Sequence, residues 1–132
     1  MCLNHLHTGI LEASADLYAD GHYASAIFEA FKAVEERVRG LTDLELIGVN
    51  LMNHAFAGDP PQLTLNALDG HVARDEQRGF HQIFAGAMQG IRNEKAHTVV
   101  DQHDPARTLD YLGLASLLMR RLDDAERVRR EN

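Results

Sequence analysis

The stretch "HYASAIFEAFKAVEERVRG", residues 22 to 40, constrains the fold more than any other part of the 132-residue chain. Tyr23, Ile27, Ala30, Phe31, Val34 and Val38 recur at intervals of three and four, so a helix gathers them into one apolar stripe. Ser25, Glu29, Lys32, Glu36 and Arg39 take the other side, where Glu29 with Lys32 and Glu36 with Arg39 stand one turn apart and can pair. Gly40 ends the pattern. Such a helix is stable only when another element covers its stripe, so the rest of the chain has to supply partners.

The partners read as further helices. Leu3, Leu6, Ile10, Ala13 and Leu17 predict a helix over 3–17, closed by Asp20 and Gly21. "LELIGVNLMNHAFAG" predicts a third, capped by Thr42 or Asp43 and ending near Gly58. Pro60 and Pro61 then forbid helix. From 59 to about 75 the pattern is weak, and the alternation in "QLTLN" predicts a short extended piece. A fourth helix begins near Asp75, with Phe80, Ile83, Phe84, Ala87, Met88 and Ile91 on one face. Gly79, Gly86 and Gly90 lie near that face. Each costs a helix about 1 kcal/mol against alanine, so three together point to a close backbone neighbour, in a tight core or at an interface.

"VVDQHDPA" reads as a loop, and Asp104 followed by Pro105 as the start of the last helix, which runs to about Val128. Its middle, "LDYLGLASLLMRRL", is apolar on more than one face, and "RRLDDAERVRREN" reads as a solvated, mixed-charge end. The expected fold class is all-α: a bundle of four to five helices with one irregular loop around residues 58–75, formed by residues 1–132 as a single domain.

Composition narrows the function. Hydrophobic residues make up 45% and charged residues 25%, the balance of a globular chain. Cys2 is the one cysteine, which rules out an intrachain disulfide and suits a reducing cytoplasm. No apolar run approaches the roughly 18–20 residues of a membrane span, and "MCLNHLHTGI" lacks the form of a signal peptide. A net charge of −7 argues against sequence-blind binding along a nucleic-acid backbone. Arg74, Arg78, Arg92, Lys95, Arg107, Arg120 and Arg121 all fall in the second half, however, which leaves room for a local basic cleft. The eight histidines do not suggest a metal site: His5 and His7 are two apart, and His22, His54, His71, His81 and His103 are scattered. Neither a cysteine cluster nor HExxH is present, and GxSxG, the P-loop and GxGxxG are also absent, so no metal or other cofactor is expected.

"GIRNEKAH", residues 90 to 97, stands where the fourth apolar pattern runs out. On a continuing helix Asn93 and His97 share one face, about 40° apart, and the long side chain of Arg92 reaches the same end. Histidine can take or give a proton near neutral pH, and arginine can hold a phosphate with its forked guanidinium. With asparagine to orient a partner, these are the parts for cleaving RNA without a metal ion. The same residues also suit a plain helix end, where histidine and arginine meet the negative end of the dipole.

"RNEKAH" resembles the R-N-x3-H form of the motif of HEPN-domain proteins. The blocks "GHYASAIFEAFKAVEERVRG", "LMNHAFAGDPPQL", "DEQRGFHQIFAGAMQGIRNEKAH" and "LDYLGLASLLMRRLD" together resemble the Ymh-type family of small bacterial and phage-associated proteins, over residues 20–123. The resemblance implies a HEPN-like helical domain and a metal-independent endoribonuclease of toxin–antitoxin or phage-defence systems. It further implies a homodimer whose two motifs line one RNA cleft, with an antitoxin or other inhibitory protein as a partner. Arg92, Asn93 and His97 match the motif positions as catalytic residues. Two copies of Arg92, with Lys95 as an RNA-binding residue, would make a positive cleft in an acidic protein. Glu94 stands where similar sequences often carry proline, so its carboxylate has to turn away from RNA or pair with Lys95. Glu35, on the shoulder of the second helix, is a candidate to hold Arg92 or His97; the plainer reading is a surface carboxylate. The alternatives are a non-catalytic module that binds a nucleotide, RNA or a partner protein in the same cleft, and a purely structural helical dimer.

Overall fold

The computed structural model describes residues 3–92 and 103–131, and every regular element in them is helical. A 3-10 turn, Leu3–His5, leads into α1 (Thr8–Ala19), α2 (Tyr23–Thr42) and α3 (Gly48–Phe56). An irregular stretch precedes α4 (His71–Ala87), which widens into a π-helical turn, Met88–Arg92. The last element is α5 (Pro105–Glu131). The helix with the cleanest stripe takes the central place: α2 packs against α1, α3, α5 and the π turn. Ile27, Ala30, Phe31, Val34 and Val38 are all fully buried, against Leu51 and Phe56 of α3, Phe84 of α4, and Leu112, Leu118 and Leu122 of α5 in one core. Phe56 and Phe84 stack with centroids 4.4 Å apart and tie α3 to α4. The expected all-α bundle is therefore the observed one.

Where the elements differ from expectation, a specific side chain is responsible. The first helix breaks at His7, whose backbone N donates to Ser116 Oγ at 2.8 Å and whose Nδ1 accepts from Gly9 N at 3.0 Å, capping α1. α2 runs two residues past Gly40 because Leu41 still packs on the core; it ends at Thr42, before left-handed Asp43 (φ 59°). The third helix starts at Gly48 rather than after Asp43, on a cap supplied by Glu35. The fourth starts at His71, four residues before Asp75, with Arg74 N closing the first turn on Gly70 O at 3.1 Å. α5 continues to Glu131, past Val128. Asp104 starts it as expected, Oδ1 accepting from Ala106 N at 2.9 Å. The charged tail is partly docked rather than solvated: Leu122 and Ala125 are buried, and Arg129 donates to Leu41 O at 2.6 Å.

"QLTLN" forms no strand, and an isolated bridge between Gly58 and Pro61 is the only β pairing among the described residues. The alternation is nonetheless real: Leu63 and Leu65 are buried while Gln62 is exposed. The backbone partner is a side chain instead of a strand. Gln77 of α4 accepts from Leu65 N at 2.9 Å and donates to Phe56 O at 3.1 Å and Leu63 O at 2.8 Å.

The expectation that another backbone presses on the fourth helix is corrected within this chain. A Cβ added at Gly79, Gly86 or Gly90 would meet nothing within 4 Å. Ile83 leaves the buried face and is 42% exposed. Gly79, Ile83 and Gly86 follow i, i+4, i+7 and so form one smooth outer stripe.

α1, α2 and α5 are joined by a charged cluster. Asp123 receives His7 Nε2 at 3.0 Å and Arg37 Nη1 at 2.8 Å, and Arg37 Nη2 reaches Glu126 at 2.9 Å. Burial pushes the Asp123 carboxyl up, but hydrogen bonds and charge from Arg37 and His7 outweigh it and hold it below the usual carboxylate range. A depressed carboxyl stabilises the fold above its unfolded pKa near 4 and loses that contribution as pH falls through the lower folded value. Asp123 is 44% exposed, so the contribution is below about 1 kcal/mol. In urea titrations from pH 7 to pH 3, the native chain should lose more stability below about pH 4 than Asp123→Asn does. Parallel curves would refute this assignment.

Candidate functional site

Phe28 and Glu35 lie seven residues apart on α2 and so share one side of that helix. The π turn after α4 packs against the same helix. A π turn takes more residues per turn than an α-helix, which re-aims the side chains beyond it. Arg92, its last residue, meets both α2 side chains. The Arg92 Nε lies 3.1 Å from Glu35 Oε1, and the guanidinium carbon sits 4.5 Å over the Phe28 ring. The Arg92 side chain is 16% exposed and that of Glu35 4%. The Arg92 contact is an ion pair rather than a hydrogen bond, because the buried Nε–H is not aimed at the carboxylate.

A buried carboxylate is costly unless its charge is met by partners. Glu35 has two. Oε1 faces Arg92, and Oε2 accepts from Gly48 N at 2.7 Å, the first residue of α3. Ile47 offers no side-chain cap, so Glu35 caps α3 from the neighbouring helix, at the end where the backbone dipole is positive. Gly48 takes φ +60°, a conformation open to glycine. Glu35 thus closes one helix, anchors the arginine that ends another, and is buried rather than on the surface.

Of the residues singled out in the sequence, Arg92 and Glu35 are brought together. Asn93, Lys95 and His97 lie outside the described residues. The ring under Arg92 was not foreseen, since Phe28 falls off the main apolar stripe; its seven-residue spacing from Glu35 is the signal that could have found it. A guanidinium set over a ring and ion-paired with a buried carboxylate is a cation of restricted orientation, the type of group that recognises a phosphate. Among the described residues, no three His, Cys, Asp or Glu side chains converge as a metal ion requires. No helix among them is long and apolar enough to cross a membrane.

A family model described as "Protein of unknown function (Hypoth_ymh)" matches residues 4–122. No curated protein and no solved structure matches the chain.

Proposed function

The chain belongs to the Hypoth_ymh family, and from that premise we propose that it is a metal-independent endoribonuclease of the HEPN type, working as a homodimer. His97 removes the proton from a ribose 2′-hydroxyl, whose oxygen attacks the adjacent phosphorus. The 5′-oxygen departs and takes up a proton, leaving a 2′,3′-cyclic phosphate and a free 5′-hydroxyl. Arg92 stabilises the charge that builds on the phosphate oxygens, Asn93 orients the reacting groups and Lys95 helps to hold the RNA.

The observation that carries this reading is the clamp on Arg92. A cation that stabilises a transition state has to be oriented beforehand, and Glu35 and Phe28 orient this one at the first residue of the R-N-x3-H motif. The smooth stripe of Gly79, Ile83 and Gly86 on the helix that leads into the motif supports the homodimer, since glycines let two helices approach closely. A toxin or phage-defence role, with an inhibitory protein as partner, accords with such an activity.

The pairing of Arg92 with Glu35 favours a second reading, a non-catalytic module that binds RNA or a nucleotide, because the carboxylate tempers the positive charge. The test is incubation with a mixed-sequence RNA in EDTA. The endoribonuclease yields fragments with cyclic phosphate ends, and Arg92→Ala or His97→Ala stops this. RNA bound but intact favours the second reading, and cleavage that needs a divalent ion or survives both replacements overturns the first.

A further inference from the structure

Three residues that the Arg92 site does not use fall on one face of α4. Arg74, Arg78 and His81 follow i, i+4, i+7 and line a cleft of about 440 Å³. The cleft contains no residue of the Arg92 clamp. Its opposite wall is the irregular stretch after α3, where Pro61 and Leu68 give apolar surface and Asp59 a carboxylate. Gln77 lies between the two arginines in sequence and hydrogen-bonds that stretch at Leu63 and Leu65, so wall and helix are held at a fixed separation. A cleft of this volume, lined about equally by polar and apolar surface, is large enough for a small molecule.

The polar groups indicate the ligand. Arg74 has no ion-pair partner among the described residues. Among the same residues Arg78 pairs with Asp75, and that exposed contact is weak and readily exchanged for a stronger anion. The His81 ring is oriented by Asn53, whose Oδ1 lies 2.7 Å from Nε2. Arg74 and Arg78 stand one turn apart on α4, and the planar fork of a guanidinium matches a phosphate. A free phosphate ion would leave the apolar wall and Asp59 without a partner. A ribonucleotide uses all three features, with phosphate on Arg74 and Arg78, sugar hydroxyls on Asp59, and the base against Pro61 and Leu68. We infer that this cleft is a ribonucleotide-binding site, distinct from the Arg92 site.

The test is calorimetric titration of the full chain with each of the four ribonucleoside 5′-monophosphates and with their unphosphorylated nucleosides. At least one monophosphate is expected to bind with Kd at or below about 1 mM, and its nucleoside at least about tenfold more weakly. Arg74→Ala/Arg78→Ala should weaken the monophosphate at least about tenfold with an unchanged thermal midpoint, because both side chains are exposed. The same loss is expected in an Arg92→Lys background. A ten-nucleotide RNA that displaces the bound monophosphate identifies a strand as the natural source; failure to displace it identifies a free nucleotide. No monophosphate binding, equal binding of the nucleoside, or binding that follows Arg92 instead of the Arg74 and Arg78 pair overturns the inference.

Discussion

Arg92→Ala is expected to lower RNA cleavage in EDTA about 10²–10³-fold, the usual effect of removing one preorganised group from a developing anion. The figure rests on the clamp. A guanidinium already placed by Glu35 and Phe28 needs no reorientation as charge builds on the phosphate, so its whole interaction is available in the transition state. The replacement also leaves the buried Glu35 carboxylate without the Arg92 counter-charge, so the fold loses stability too. Two further variants separate the effects. Arg92→Lys keeps a cation beside Glu35 and the fold with it, but offers a single ammonium in place of the fork, and its rate should lie between those of the native chain and Arg92→Ala. His97→Ala retains Arg92, Glu35 and Phe28 and should stop proton transfer, and its thermal midpoint reports whether the fold is kept. Single-turnover rates and thermal midpoints, measured together, check the set. Native rates in both folded alanine variants would remove the endoribonuclease reading.

Gln77→Leu is expected to cost about 3–4 kcal/mol, read as a lowered urea midpoint with an unchanged slope. Leucine is close to glutamine in size, so packing is largely kept and the loss isolates hydrogen bonding. The side chain is 4% exposed and serves Leu65 N, Phe56 O and Leu63 O, all buried contacts. Without it, one donor and two acceptors are left unmet, each costing about 1–3 kcal/mol less what water recovers. A loss below about 1 kcal/mol would mean that the stretch after α3 finds other partners. Because this stretch forms one wall of the Arg74–Arg78 cleft, Gln77→Leu should also weaken monophosphate binding, whereas Arg74→Ala/Arg78→Ala leaves the midpoint alone.

Burial of the Ile27–Val38 stripe could be read directly from the chain, since helical periodicity states which residues share a face and apolar residues state which face is covered. The start of α5 was as plain, because Asp104 and Pro105 act locally on their own first turn. Boundaries fixed by distant residues could not be read. α3 begins where Glu35 caps it, α1 where His7 meets Ser116, and the apolar alternation of "QLTLN" is matched by a glutamine rather than a second strand.

The same division runs through the site. The sequence by itself set the helical class, the central stripe and the presence of Arg92 in an R-N-x3-H pattern, all of which depend on neighbours within a few residues. Only the tertiary structure decided that Glu35 is a buried counter-charge shared by a helix N-terminus and a guanidinium, that Phe28 lies beneath that guanidinium, and that three glycines face outward. The physical reason is range. Periodicity and capping are settled over one or two turns of a single helix, whereas the charge state and orientation of a buried ion depend on which helices pack together, and 57 residues separate Glu35 from Arg92 along the chain.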